Sequence, residues 1–343
     1  MENLKIAVVI PVFNTGIYLS ECINSLLCQK YTNFEIFAIN DGSTDDSALI
    51  LENFKRLDKR IHVFHKINGG VSSARNLALD VIEDMDCFDV ICYVDSDDIV
   101  KDNYLGQIVN LINIYDADCV FLGFCSFDRR GMPSIPYDQT SCKVLDSKLT
   151  PRFCFGIGEF DKKKYNSISM SIFNIGFSAS IVKGIRFDES KKTAEDHDYL
   201  FRCLKYVKKA VACEQICYLY RIRKSSLTHT DLLRVNEINS YLKLIKEDKN
   251  INSDLRKVIE HMAFQVFWQT LRSSANLGKL KVLWPYFLST LDEIERLFSS
   301  DIIKHKNAKK RIFIIRLGYF VTKLYFYLKR DKKLDEELRF AFC

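Results

Sequence analysis

An apolar run from Val90 to Val94 ends in Asp95-Ser96-Asp97-Asp98, three carboxylates in four positions. Like charges this close resist simultaneous ionisation. A divalent cation relieves the repulsion, and Asp-x-Asp supplies the hard oxygen ligands that Mg²⁺ or Mn²⁺ prefers while leaving positions for phosphate oxygens. The competing assignment is a cap on a following helix, for which one acid suffices. We therefore expect a metal site here.

Three more polar clusters follow apolar runs: Pro11-Val12-Phe13-Asn14 after Ile10, Asn40-Asp41-Gly42-Ser43-Thr44-Asp45-Asp46 after Ile39, and Asn68-Gly69-Gly70 after Lys66. A carboxylate at Asp41 could accept a hydrogen bond from the ring N–H of a pyrimidine, with Phe13 as an aromatic contact to the base. Each has a plainer alternative, since Asp-Gly is a turn signal and Phe13 suits a core. Arg75 follows the glycines on the first turns of a helix, where it suits either a nucleotide phosphate or a buried ion pair.

The elements that must position these residues are legible in hydrophobic period. Strand-like runs at Ile6 to Ile10, Glu35 to Ile39, His62 to His65 and Val90 to Val94 alternate with helical segments. That alternation predicts a mostly parallel sheet, whose ligands sit beyond the carboxyl ends of its strands. Ser43 and Asp46 read as a capping box before a helix at Ala48 to Leu57, and Ser72 as the start of a helix through Ile82. A helix at Tyr104 to Tyr115 and a strand at Cys119 to Phe124 precede a loop region from Ser126 to Asn166, then α/β structure returns from Ser169 to about Ile222. Beyond Leu232 only helical periods remain.

Taken in order, these motifs resemble the family 2 glycosyltransferases of GT-A fold, and the resemblance continues through Gly184-Ile185-Arg186-Phe187-Asp188, Ala194-Glu195-Asp196-His197-Asp198 and Tyr218-Leu219-Tyr220-Arg221. It implies a Rossmann-like nucleotide-binding sheet with flanking helices at 1–230, divided into a nucleotide-sugar half at 1–125 and an acceptor and catalytic-base half at 126–230, followed by a helical region at 231–343. It further implies an inverting transfer from a nucleotide sugar, UDP by preference, to a saccharide or lipid-linked saccharide in cell-surface polysaccharide synthesis. Pro11, Phe13, Asn14 and Asp41 would surround the base, and Asn68, Gly70 and Arg75 would hold the nucleotide. Asp95 and Ser96 would contact the donor, Asp95 and Asp97 would hold Mn²⁺ or Mg²⁺, and Asp196 would be the catalytic base. Arg221, Arg223 and Ser226 resemble a loop that closes over the diphosphate, with His229 as a further possible metal ligand. The segment Phe173 to Val182 stands where the family places an acceptor-side helix.

From Ile302 to Lys333 eleven lysines and arginines stand against one acid around an apolar, aromatic middle. Lys309, Arg316, Lys323 and Arg330 recur every seven residues, the pattern of an interfacial helix that docks on a membrane; packing of the apolar side on protein is the equal alternative. A span of ~20 apolar residues is not present. The 12 cysteines include no Cys-x-x-Cys pair, and Cys22, Cys28, Cys92, Cys119, Cys125 and Cys203 lie among apolar residues, as reduced core thiols of a cytoplasmic protein do. Lys5 to Ile10 reads as a strand and not as an export signal, so a cytoplasmic site, with the inner membrane face as a variant, is expected. The net charge of +6 is modest and no nucleic-acid partner is expected. Two other readings stay open: a haloacid-dehalogenase-like phosphohydrolase using Asp95 and Asp97, and a non-catalytic nucleotide-sugar-binding scaffold.

Overall fold

The computed structural model describes residues 2–128, 141–154, 171–191, 195–222, 233–247, 251–276, 279–298, 303, 306–316 and 322. The chain divides into two compact units that part at about Ser226. The first opens with β1 (Ile6–Val12), α1 (Gly16–Leu27), β2 (Phe34–Asp41), α2 (Ser47–Leu57), β3 (Ile61–Lys66), α3 (Val71–Met85) and β4 (Val90–Tyr93). These strands pair in parallel in the order β3-β2-β1-β4, with Val8 opposite both Ile36 and Cys92. Near-continuous apolar runs such as Ile6 to Ile10 are what a strand covered on both faces needs, and all of these side chains are buried.

The sheet continues in mixed sense. After β5 (Ile99–Val100), α4 (Tyr104–Tyr115) and β6 (Cys119–Phe127) come β7 (Cys142–Asp146), α5 (Leu149–Cys154), β8 (Ile175–Ser178), α6 (Ala179–Val182), α7 (Glu195–Leu204) and β9 (Lys209–Arg221). The nine strands form one sheet in which β8 is antiparallel to β4 and β6, and β9 runs between β6 and the short β5. Gly123 lets β6 shift register against β9, for a Cβ there would lie 2.6 Å from the carbonyl oxygen of Glu214.

Several local expectations change. Asp97 and Asp98 lead into strand β5, and the next helix starts at Tyr104 behind Asn103, so neither acid caps a helix. The Ser43–Asp46 capping box does not form: Ser43 Oγ accepts from the backbone N–H of Asn14 instead, and α2 starts at Ser47, whose N–H donates to Asp45 Oδ1. Phe173 to Val182 holds β8 and the single turn α6 in place of one acceptor-side helix, because Ile175 and Phe177 are needed to fill the core between β4 and β6. The loop region after Ser126 includes β7 and α5 in its described part.

The second unit is helical where described: α8 (Leu233–Glu247), α9 (Ser253–Asn276), α10 (Leu280–Leu297) and α11 (Lys306–Arg316). Phe267 of α9 meets Phe287 of α10 edge to face at 5.7 Å. On α11, Ile312 and Ile315 are buried, Arg311 lies over the Trp268 ring, and Arg316 pairs with Asp292 and Glu295. The described part of the basic segment thus packs one side on protein, while Phe313 is 62% exposed. Among the described residues no helix is long and apolar enough to cross a membrane, and the described cysteines are unpaired.

Candidate active site

The chain leaves β1 for β2 and β3 on one side, then returns to β4 on the other, so β1 and β4 form a topological switch point whose carboxyl ends open a crevice. Both lips are tied down. Thr15 Oγ1, just past β1, donates to Ser96 Oγ just past β4 at 2.9 Å, and both hydroxyls are buried. Ser96 thus spends its side chain on the crevice wall. Toward β2, Asn14 Oδ1 accepts from Thr44 N–H at 2.8 Å and Gly16 N–H donates to Asp45 at 2.9 Å. Asn14 takes φ 51°, a left-handed conformation in which Asn is tolerated better than most residues.

This strained corner throws Phe13 outward. Its ring is 50% exposed, so the core-packing alternative is overturned and an aromatic face stands at the end of β1 beside Pro11. Asp41 has the opposite fate. It is 2% exposed; Oδ1 accepts from Lys66 Nζ at 2.6 Å and Gly69 N–H at 2.9 Å, and Oδ2 accepts from Gly70 N–H at 2.8 Å. Asn68 Nδ2 donates to the Asp41 carbonyl at 2.8 Å. The carboxylate organises the Asn68 to Gly70 turn, and one lone pair on Oδ2 is left beyond these three bonds. Gly70 holds φ 89° as the residue before α3, where a side chain would be strained.

The carboxylates gather at the end of β4. Asp98 is buried, with Oδ2 accepting from Tyr218 O–H at 2.7 Å and Oδ1 from Arg221 N–H at 2.8 Å. Burial, then the negative charge of Asp95 and Asp97, pushes its carboxyl well above the usual range. Asp97 is 8% exposed and Asp95 more open.

Of the two roles open to Arg75, the buried ion pair is the one the structure describes. Its guanidinium is buried and bridges Asp95 Oδ1 and Glu195 Oε1, each at 3.2 Å, with Phe187 5.2 Å beneath it. Burial works against its charge, but Asp95, Glu195 and Asp196 outweigh it and hold the group protonated. It therefore joins the two acidic motifs, 100 residues apart in sequence. Burial and the charge of Asp196 push the Glu195 carboxyl upward against the pull of Arg75. Asp196 follows it in the first turn of α7, where Oδ1 accepts from His197 N–H at 2.9 Å. Asp198, by contrast, is buried between Lys191 and Arg202 and serves the fold.

Arg221 has protein partners on several sides: Nε–H donates to the Asp97 carbonyl at 2.7 Å, the guanidinium pairs with Glu21, and the Tyr18 and Phe127 rings lie against it. A planar cation between two rings and a carboxylate braces the acidic turn from behind. The predicted Arg223, Ser226 and His229 lie outside the described residues. The sequence pointed to no role for Thr15, Tyr93 and Tyr199, and placed Asn76 and Tyr218 only within their motifs. Asn76 clamps the turn after α6, exchanging bonds with Phe187 N–H at 2.7 Å and its carbonyl at 2.9 Å. Tyr93 and Tyr199 share a 2.6 Å hydroxyl hydrogen bond, and Phe187 stacks on Tyr199 at 3.8 Å. Nothing in local pattern distinguishes Tyr93 and Tyr199 from ordinary core aromatics.

Among the described residues no three metal-ligating side chains form a cage. Hard cations that work on phosphates use one or two carboxylates and take their other ligands from substrate and water, and the charge that Asp95 and Asp97 impose on Asp98 is what a cation would relieve. The donor set fits Mg²⁺ or Mn²⁺.

A parallel half-sheet continued in mixed sense, with an acidic turn at its switch point, is the α/β architecture of the GT-A fold. The model of the family "Glycosyl transferase family 2" matches residues 7–185, just over half the chain. Glycosyltransferase GlyG of Streptococcus pneumoniae serotype 4 is 31% identical over 236 residues, 66% of this chain and 73% of GlyG. GlyA of the same organism is 32% identical over 323 residues, 92% of this chain but only 44% of GlyA, so the chain spans less than half of that relative. Among solved structures, the S. aureus TarS fragment 1–349 in complex with UDP-GlcNAc superposes with a TM-score of 0.69 at 18% identity, over 92% of this chain and 88% of the fragment, a likeness of fold. The chain belongs to glycosyltransferase family 2.

Proposed function

We propose that the chain transfers a sugar from a nucleoside-diphosphate sugar, a UDP-sugar, to a hydroxyl of a saccharide or lipid-linked saccharide, with inversion, in cell-surface polysaccharide synthesis. The observation that carries this reading is the Arg75 bridge, which seats Asp95 of the donor side and Glu195 of the acceptor side on one guanidinium. TarS, whose structure holds UDP-GlcNAc, supports a uridine donor. Phe13 and Pro11 offer the base an apolar face, the spare lone pair of Asp41 accepts its ring N–H, and Asn68 and Gly70 border the nucleotide.

Asp196 takes the proton of the acceptor hydroxyl as that oxygen attacks the anomeric carbon from the side opposite the diphosphate. One displacement then breaks the sugar–phosphate bond and inverts the centre. A divalent cation held by Asp95 and Asp97 would stabilise the charge of the departing diphosphate. Arg223 and Ser226 are proposed as further diphosphate contacts.

A panel of nucleotide sugars with Mn²⁺ or Mg²⁺, scored for nucleotide release with and without crude lipid-linked acceptor, is expected to single out a UDP-sugar. Asp196→Asn should lower turnover by ~10²- to 10⁴-fold with nucleotide binding retained. Asp97→Ala should abolish the response to added metal. Unchanged release from Asp196→Asn would remove the base assignment, and no release from any donor would leave a nucleotide-sugar-binding protein.

A further inference from the structure

His65, the penultimate residue of β3, lies outside every role given so far. Its Nδ1 is 2.9 Å from Asn40 Nδ2, and its Nε2 is 3.0 Å from Glu52 Oε1 on α2. The Asn40 amide is oriented by its other end. Oδ1 accepts from Ser43 N–H at 3.0 Å, which only the oxygen can do, so Nδ2 donates toward His65. Nδ1 must then present a lone pair, and the proton of the neutral ring sits on Nε2, donating to Glu52.

Asn40 is buried and its bond to Ser43 shapes the turn that carries the donor end of the crevice. Ser43 Oγ accepts from Asn14 N–H at 3.1 Å, and Asn14 Oδ1 accepts from Thr44 N–H at 2.8 Å. A continuous line of hydrogen bonds therefore runs from the half-exposed imidazole through Asn40 and Ser43 to Asn14, beside Phe13. A proton added to Nδ1 would face the Asn40 N–H₂ group. Turning that amide over would relieve the clash but set its N–H₂ against Ser43 N–H, so either response breaks the line.

We propose that His65 is a positioning residue for the nucleotide: as a neutral, Nε2-protonated imidazole it holds the Asn40 to Thr44 turn and Phe13 in the binding arrangement, and its protonation weakens donor binding. The inference rests on the nucleotide-sugar reading above. The charged groups around the ring are Glu52, which favours the proton, with Lys55 3.8 Å from that carboxylate and Arg56 near it, which oppose the proton, and on the adjoining β2 and β3 the Asp41–Lys66 pair at 2.6 Å. His62, on the same strand, is occupied by Glu35 at 2.6 Å.

The test is calorimetric binding of UDP-GlcNAc with Mg²⁺ between pH 5.5 and 8, since the diphosphate diester has no proton to exchange in that range. The unsubstituted chain is expected to bind about threefold to tenfold more weakly at the acid end, the size of one lost neutral hydrogen bond. His65→Asn, whose Oδ1 replaces the Nδ1 acceptor but cannot titrate, should bind as wild type does at pH 8 and keep that affinity at pH 5.5. His65→Lys should bind weakly throughout, with turnover at saturating donor close to wild type, so that KM moves and kcat does not. An acid loss that persists in His65→Asn overturns the role of His65 alone. An Nδ1-protonated ring by nitrogen-15 NMR at pH 8 overturns it independently of any ligand. No binding by the wild type at any pH sinks the nucleotide reading and this inference with it.

Discussion

Arg75 is the residue on which the most depends. A guanidinium with carboxylates on two sides and an aromatic ring below cannot be exchanged for an ammonium, which lacks the planar fork that serves two partners at once. Arg75→Gln leaves Asp95 and Glu195 facing one another without a cation; we expect a loss of about 3 kcal/mol of stability, in the range for a broken buried pair, and Arg75→Lys to recover less than half of it. Thermal unfolding of the three proteins measures this. A melting point within a degree of wild type for Arg75→Gln would show that the bridge carries no energy. At this scale the sequence was partly readable. Asp95, Asp97 and Asp196 stand out by charge at a strand end and a helix start, whereas the protein partners of Ser96, Arg75 and Arg221 could not be read from residue type. Type shows what a side chain can do, and only its neighbours decide which of those things it does.

Between elements, the contact that brings the acidic motifs together is the docking of the turn after α6 on α3. Asn76 holds Phe187 from both backbone sides, and Arg186 reaches Asp80 and Glu83 on the same helix at 2.7 Å each. Phe187 in turn supports Arg75 and stacks on Tyr199 of α7. Asn76→Ala should strand a buried N–H and C=O of Phe187, costing about 2 kcal/mol or more, and should lower kcat through the displaced seat of Arg75. Urea unfolding and turnover of the same preparation test the two effects together; lost stability with full kcat would separate the docking from the chemistry. The strands and helices themselves were visible as apolar runs and helical periods, and β1 to β4 lie within two or three residues of their expected places. Less visible was the turn chemistry. Ser43 matches a capping box in every residue, yet the tertiary partner Asn14 competes for its hydroxyl and wins. Asp97 and Asp98 could not be cleared of capping until β5 was seen to follow them.

Over the whole molecule, carboxylates held by positive partners or backbone donors set the acid limit of stability. Salt-bridge and hydrogen-bond partners keep Asp58 and Glu83 below their ordinary values, Arg60 acting on the first and Arg186 on the second. Burial acts against Glu35 and Asp45, but Lys5 and His62 for one, and the bonds from Ser47 and Gly16 for the other, prevail and lower them too. Groups with depressed folded values contribute stability that is complete above their unfolded values, 3.8 for Asp and 4.5 for Glu, and that is lost as pH falls through the folded ones. The melting temperature should therefore decline steeply below about pH 4.5, and a flat profile from pH 6 down to about pH 3 would contradict it.

By itself the sequence determined the class of fold, the four strand-end clusters and the family they belong to, because a parallel strand buried on both faces must be apolar throughout and its ligand-binding end must then stand out as polar. Tertiary structure decided which of those polar residues face the crevice. It turned Phe13 outward, closed Asp41 over the Asn68 to Gly70 turn, and set Arg75 between two motifs that lie far apart in the chain. The reason is physical: hydrophobic period is a local property of the chain, whereas the pairing of a buried charge depends on every element that packs around it.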